Sequence, residues 1–364
     1  MIGNRSLLSA IINLVLRLDE DSAIKNSIDR ALAENPWFTK EEIIRALEAI
    51  RECMLAPDKF EKWLAAYPAL VVPHEPKKIG IVMAGNIPLV GFFDLLCVIA
   101  SGNRAYIKPS SKDRVLMELI KWAFAICGEE EQVRYLTKHT PIDAIIATGG
   151  ESAKLYFESK YAGIPHIVRG SRHSVAVLAG DETEAELAGL ADDIFLYSGL
   201  GCRSVSLVFV PRWYRFSLPA RKMCKGYRNN YRQTRALLKM EGVEAEDNGT
   251  ALFVRSDKAE FPKRLSQINV VEYGDIENVR SWLMGNDSRL QCIASHIDGL
   301  HKRTVPLGRT QYPELTDYAD DVDVMEFLQS VVGVERICET ADEDSNARLS
   351  LSLHIHNKLK QNIS

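Results

Sequence analysis

The chain has 364 residues, of which 46% are hydrophobic and 26% charged, and a formal net charge of -4. That length suits two or three domains with a sizeable core, and the composition excludes a mainly disordered chain. The slight acidity argues against a general nucleic-acid binder, which shows a basic excess.

The chain opens with Leu and Ile at helical spacing, with charges between them and no small-residue cleavage site. Seven cysteines, scattered and odd in number, do not make a disulfide scaffold, and no CxxC pair suggests structural zinc. These features point to a cytoplasmic protein with reduced thiols. Residues 1–76 read as a helical extension. Asn35-Pro36-Trp37-Phe38 breaks one helix, Thr39 caps the next, and Glu42 is its capping-box partner. Phe38 and Ile43 fit a hydrophobic staple around that cap.

From Lys77 strands alternate with helices, which implies parallel sheets covered on both faces. The expected order begins with a strand Ile79–Met83, a helix Ile87–Ala100, a strand Arg104–Lys108 and a helix start at Ser110-Ser111. An amphipathic helix Met117–Cys127, a strand Asp143–Ala147 and a helix Ser152–Glu158 come next. Short strands follow at 166–168 and 174–178. This block, residues 77–198, is read as one α/β domain. A second, 199–345, is expected to hold a strand Val205–Val210, a long helix from about Phe216 to Met240, and a loop Glu241–Gly249. A strand Val270–Tyr273, a helix Ile276–Met284 and a strand Gln291–His296 complete it. Residues 346–364 carry Leu349, Leu351, Leu353 and Ile355 at period two, a strand for an interdomain or intersubunit sheet. The apolar run Ile79–Ala100 is long enough to span a bilayer, but Asn86, Pro88 and Asp94 within it favour a buried strand, a turn and a helix.

Cys202 stands in Ser198-Gly-Leu-Gly-Cys-Arg-Ser204, a glycine-rich turn between the two blocks. Cysteine attacks as its thiolate, which backbone donors and a cation such as Arg203 favour. The other six cysteines lie inside helical or strand patterns and read as small packing residues; the loop context makes Cys202 the candidate nucleophile. Asn86 follows a strand and is either a turn residue or an amide placed to hold an oxyanion. Lys108, Ser110 and Ser111 end the second strand, where a lysine can reach ribose hydroxyls or phosphate. Thr148-Gly149-Gly150 ends another strand and opens a helix, a turn that can offer N–H groups to a pyrophosphate. No GxGxxG is present. Residues 221–240 hold seven Lys/Arg and no acid, a solvated helix face or a dock for an acidic partner or for coenzyme A phosphates. The eight histidines show no metal-ligand spacing, so no metal is expected; His354 and His356 share one strand face.

These motifs together resemble the aldehyde dehydrogenase superfamily and, within it, the LuxC-type acyl-CoA reductases. Ala84-Gly-Asn86-Ile-Pro88-Leu89 is similar to the family's Asn-Phe-Pro-Leu turn, and Gly102-Asn-Arg-Ala-Tyr-Ile-Lys108-Pro109-Ser110 to its Gly-Asn…Lys-Pro-Ser strand. Thr148-Gly149-Gly150 matches the Thr-Gly-Ser/Gly turn, Cys202 the nucleophile, and Val305-Pro306-Leu307-Gly308 the late Pro-Phe-Gly-Gly turn. The motifs at 35–39, 63–68 and 170–174 resemble LuxC-type features. The resemblance implies an aldehyde-dehydrogenase-like fold of two α/β domains with parallel-sheet cores. The implied reaction is NAD(P)H-dependent reduction of a fatty acyl-CoA to a fatty aldehyde through acyl-Cys202, with Asn86 as oxyanion donor. It also implies a nicotinamide site at Met83, Ala84, Lys108, Ser110, Ser111, Thr148, Gly149 and Gly150, coenzyme A as leaving group, an acyl-activating partner protein and a homo-oligomer. Two departures matter. The Glu that activates water in hydrolytic members is replaced by Val168 in Val168-Arg169-Gly170-Ser171, so the acyl-enzyme awaits hydride or a thiol. Ser111 stands where many NAD-preferring members carry Glu, which leaves room for a 2′-phosphate and tilts the expectation from NADH towards NADPH. A CoA-acylating aldehyde or semialdehyde dehydrogenase, a non-redox acyltransferase using Cys202, and a non-enzymatic interaction protein are the alternatives.

Overall fold

The computed structural model describes residues 22–71, 74–126 and 128–333. The expected strand at 349–355, with His354 and His356, lies outside them, as does the apolar opening. Four α-helices begin the described chain: α1 (Ser22–Glu34), α2 (Lys40–Ala49), which runs on into a π-helical turn at Ile50–Met54, α3 (Pro57–Ala65) and the short α4 (Pro68–Val71). Thr39 caps α2 as its position dictates: its hydroxyl accepts from the Glu42 N–H at 3.2 Å and donates to the Glu42 carboxylate at 2.9 Å.

Next come β1 (Lys78–Val82), α5 (Phe92–Ala100), β2 (Arg104–Lys108), α6 (Arg114–Ile126), β3 (Val133–Tyr135), β4 (Ala144–Thr148), α7 (Glu151–Lys160) and β5 (His166–Arg169). These strands form a five-stranded parallel sheet in the order β3-β2-β1-β4-β5. The apolar run at 79–100 is therefore β1, a turn and α5, all in the core. Ile24, Ile43 and Trp63 of the extension share one continuous core with Ile79, Leu95 and Phe124, so the helices complete the first sheet's packing.

The second sheet runs β12-β11-β6-β7-β10-β9-β8, parallel throughout except at β8–β9. Its strands are β6 (His173–Val177), β7 (Val205–Pro211), β8 (Glu246–Asp247), β9 (Leu252–Arg255), β10 (Gln267–Tyr273), β11 (Leu290–Ala294) and β12 (Thr304–Val305). The helices α8 (Glu184–Phe195), α9 (Lys225–Met240) and α10 (Ile276–Gly285) connect them, and α11 (Val324–Val332) returns to the first core.

Four expectations are corrected. The strand at 174–178, grouped with the first block, pairs with β7 through Ser174↔Val205 and Val175↔Leu207. The change of sheet thus comes at residues 170–172 rather than after 198, a choice of partner that an apolar strand does not itself encode. The long helix begins at Lys225 instead of about Phe216, because Pro219 lies ahead of it and Cys224 is its N-cap. The helix after β2 starts at Arg114, leaving Ser110-Ser111 in the preceding loop. The helix after β1 begins at Phe92, not Ile87, leaving Asn86 to Gly91 as a turn. The short strands β3, β8, β9 and β12 and the helices α8 and α11 went unread.

Candidate active site

The site forms where the carboxyl ends of β1, β2 and β4 meet the loop before β7, the usual ligand side of a parallel sheet. Beyond β1, the Met83 N–H donates to the Lys108 carbonyl at 3.0 Å, so the ends of β1 and β2 are tied together. The chain then turns through Ala84-Gly85-Asn86. The Asn86 side-chain amide donates to the Leu200 carbonyl at 2.5 Å, 114 residues away and two before Cys202. One of its two side-chain N–H groups is used in this way, and the other has no partner among the described residues.

The loop that carries Cys202 is unusual backbone. Tyr197, Ser198 and Gly199 follow one another at φ 54°, 57° and 65°. Two of the three are not glycine, so the surrounding structure holds a strained left-handed turn. The loop closes with the Ser204 N–H on the Gly201 carbonyl at 3.0 Å, and the Ser174 hydroxyl donates to the Cys202 carbonyl at 2.8 Å. A Cβ on Gly201 would lie 2.5 Å from Ile87 Cδ1, which is why the Asn86 turn can approach so closely. The structure thus brings Asn86 and Cys202 together.

Cys202 is exposed, unlike the buried Cys53, Cys97 and Cys292. The walls around it nonetheless take water from its sulfur, and this desolvation pushes the thiol above its usual value. Arg203 and Arg169 pull it down, and the carboxylate of Asp320 pushes it up. Arg203 is held by the Asp317 carbonyl at 2.9 Å, and Asp320 by Arg172 at 2.9 Å. Asp320 itself has a raised pKa through burial, opposed by Arg172 and Arg169.

Val168, where the resemblance implies a missing base, packs against the buried cluster of Val82, Ile145 and Ala147. Its neighbour Arg169 points the other way and is 5% exposed. One guanidinium nitrogen, Nη1, donates to both oxygens of the buried Asp94, at 2.9 and 2.8 Å, while Nε and Nη2 have no partner. A buried cation paired in this way cannot serve as a base.

The residues expected to hold a cofactor cluster at the same sheet end. Met83 is buried and Ala84 half-buried, Lys108 and Ser111 are exposed, and Ser110 is half-buried. Thr148 and Gly149 are half-buried, and the exposed Gly150 is the N-cap of α7, extended and without a side-chain cap. Its first N–H groups are thus open to an anion. Glu151, on that first turn, reaches to the Ser171 N–H at 2.8 Å instead. Sequence reading missed Asp94, Ser174 and Asp320, whose roles arise from contacts 28 to 148 residues apart. It also missed Asp113, for which the one available signal was a helix-capping residue before Arg114.

Among the described residues no helix is long and apolar enough to cross a membrane. No curated protein matches the chain. Among solved structures it is similar to aldehyde dehydrogenase 21 from Physcomitrella patens in complex with succinate, at 9% identity over 91% of this chain and 84% of that one, with a TM-score of 0.63. An aldehyde dehydrogenase from Mycobacterium tuberculosis complexed with NAD+ gives 12% identity, 90% and 83% coverage, and a TM-score of 0.63. An NAD-dependent benzaldehyde dehydrogenase from Corynebacterium glutamicum gives 14%, 82% and 76%, and 0.59. At such identities the likeness carries the fold, which is aldehyde-dehydrogenase-like as the motif order implied. The family model for acyl-CoA reductase (LuxC) matches residues 20–213, more than half of the chain. The chain belongs to the LuxC acyl-CoA reductase family.

Proposed function

We propose that this protein reduces a fatty acyl-CoA to a fatty aldehyde with NAD(P)H through a thioester on Cys202. The observation that carries the reading is the Asn86 amide docked on the nucleophile loop, with one N–H to spare beside an exposed cysteine. The Cys202 thiolate attacks the thioester carbonyl. The free N–H of Asn86 and the backbone N–H of Cys202 hold the oxyanion, and coenzyme A leaves as its thiolate. The sheet end fits a nicotinamide dinucleotide: the uncapped start of α7 suits a pyrophosphate, and Lys108 and Ser111 stand free for the ribose. When bound, the nicotinamide supplies the hydride that turns the acyl group into an aldehyde. The neutral Ser111 and the cationic Lys108 favour a 2′-phosphate, hence NADPH. Val168 activates no water, so the acyl-enzyme is reduced rather than hydrolysed.

Reduced, unpaired cysteines among the described residues support a cytoplasmic setting. Helix α7 buries none of its residues and leaves Leu155 and Tyr156 68% and 57% exposed, which supports a homo-oligomer. An acyl-activating partner protein would deliver the acyl group. The reading is tested by intact-protein mass spectrometry after incubation with acyl-CoA without nicotinamide. One labile acyl adduct is expected in wild type and none in Cys202→Ala, together with acyl-CoA-dependent NADPH oxidation that yields aldehyde. An adduct retained by the Ala variant would move the nucleophile elsewhere.

A further inference from the structure

Asp113 stands in the loop that leaves β2, between the cofactor residues Ser110-Ser111 and the first residue of α6. It is 2% exposed. Its Oδ2 accepts the Leu89 N–H at 2.8 Å, and its Oδ1 has no partner. Leu89 lies three residues after Asn86, in the same turn, and has φ 57°. A bulky residue in the left-handed region is strained and keeps that conformation only where something holds it. The turn's own backbone bonds, Val90 N–H to the Ile87 carbonyl at 3.4 Å and Phe92 N–H to the Leu89 carbonyl at 2.9 Å, leave the Leu89 N–H to Asp113.

The two loops also touch through Gly85. A Cβ there would lie 2.5 Å from Ser110 Cβ and 3.0 Å from Asp113 Cβ. Asp113 is fixed in turn. Its N–H donates to the Ser110 carbonyl at 3.1 Å, and the buried Asn35 of the helical extension donates to the Lys112 carbonyl at 2.9 Å. A chain of contacts therefore runs from α1 and the cofactor loop, through Asp113, to the turn whose amide docks beside Cys202.

We infer that Asp113 is a positioning residue for the oxyanion donor, tying the cofactor loop to the Leu89 backbone and so holding Asn86 against the nucleophile loop. The inference rests on the reading of Cys202 as nucleophile and Asn86 as its oxyanion donor. It assigns Asp113 no contact with substrate. Burial pushes its carboxyl up to about 8, with the Leu89 N–H opposing. Among the described residues no charged side chain acts on it. The group is therefore the neutral acid at neutral pH, and asparagine is its nearest mimic.

The test measures the rate of Cys202 acylation by acyl-CoA in wild type, Asp113→Ala and Asp113→Asn, with nicotinamide-nucleotide affinity measured separately. Loss of the Leu89 anchor should slow acylation in Asp113→Ala on the order of tenfold to a hundredfold, with cofactor affinity little changed. Asp113→Asn keeps an acceptor for Leu89 and should stay within about threefold of wild type near neutrality. If Asp113→Ala fails to fold, the ratio of wild-type to Asp113→Asn rates decides between about pH 6.5 and pH 9. Thiol ionisation is common to both proteins and cancels, so the ratio should change near pH 8, where only wild type ionises at this site. A folded Asp113→Ala acylated on Cys202 at the wild-type rate, or a ratio flat across that range while the melting-temperature difference between Asp113→Asn and wild type changes with pH, overturns the inference alone. An adduct that forms in Cys202→Ala overturns the reading of the nucleophile, and the inference with it.

Discussion

Cys202 is a thiol under opposed influences. Desolvation and Asp320 disfavour its thiolate, while Arg203 and Arg169 favour it. Removing the negative charge with Asp320→Asn should lower the thiol pKa, so alkylation by iodoacetamide should reach half its limiting rate at lower pH than in wild type. A shift to higher pH would show that Asp320 acts chiefly by positioning Arg172. Asn86 is the proposed oxyanion donor. Deleting one oxyanion donor costs on the order of 10²–10³ in rate. Asn86→Ala should lower Cys202 acylation by about that factor, as read by stopped-flow release of coenzyme A, with little change in cofactor binding. A fall smaller than about tenfold would leave the amide only its loop contact with Leu200. Both residues were legible in the sequence because each stands in a short motif at a turn. Asp320 was not, since its proximity to Cys202 depends on the chain's return from the second sheet.

At the scale of elements, α8 shows how the helix before the Cys202 loop is pinned at both ends. Thr183 and Glu186 form a capping box at its start, with the Glu186 N–H on the Thr183 hydroxyl at 3.3 Å and the Thr183 N–H on the Glu186 carboxylate at 2.8 Å. That box, with His296 bound at 2.6 Å, draws the Glu186 carboxyl down to about 2. Asp181 also faces His296 Nε2, at 3.2 Å, a grouping that spacing in the sequence did not show. Near the far end, Asp193 accepts from the Gly308 N–H at 2.6 Å and the Thr310 N–H at 3.0 Å. The late Pro306-Leu307-Gly308 turn is thereby fastened two residues before the helix ends. Thr183→Ala should cost about 1 kcal/mol of stability, measured by urea unfolding, since it removes a helix cap and little else. A loss of several kcal/mol would mean that the cap also holds the 181–182 loop against His296. The box was not among the elements read from the sequence, although Thr183 and Glu186 have the required spacing.

Across the whole molecule, the helical extension and the return of the chain grip each other. Trp63 donates to the Tyr318 hydroxyl at 2.8 Å, the Tyr67 hydroxyl donates to Asp323 at 2.6 Å, and Arg45 donates to the Tyr312 hydroxyl at 2.8 Å. The segment that carries Asp320 beside the site is thus anchored to helices 255 to 267 residues earlier. Two buried carboxyls give the assembly a pH signature. Asp113 is pushed up to about 8 and Asp193 to about 6, both from 3.8 and both chiefly by burial. Between those values the folded state holds protons that the unfolded chain releases. Their stabilisation is full below 3.8 and falls as pH rises, ending at about 6 for Asp193 and about 8 for Asp113. Asp113→Asn removes one titration. Its melting temperature relative to wild type should therefore rise from about pH 5 to about pH 8.5. A constant difference would mean that Asp113 has an ordinary pKa in the folded protein.

The sequence by itself determined the alternation that makes the sheets parallel, the capped helix at Thr39, and the motif order from Asn86 to Gly308 that carries the family. Those features are local: periodicity, turn chemistry and short spacing act within a few residues. Only the tertiary structure decided that the strand at 174–178 joins the second sheet, that the extension completes the first core, and that Asp94 neutralises Arg169. It also decided that Asp113, rather than anything within the turn, holds Leu89. Each of these depends on which buried surface or unpaired donor meets which partner across 24 or more residues. Packing in three dimensions selects that partner from many chemically equivalent ones, and no spacing rule records the choice.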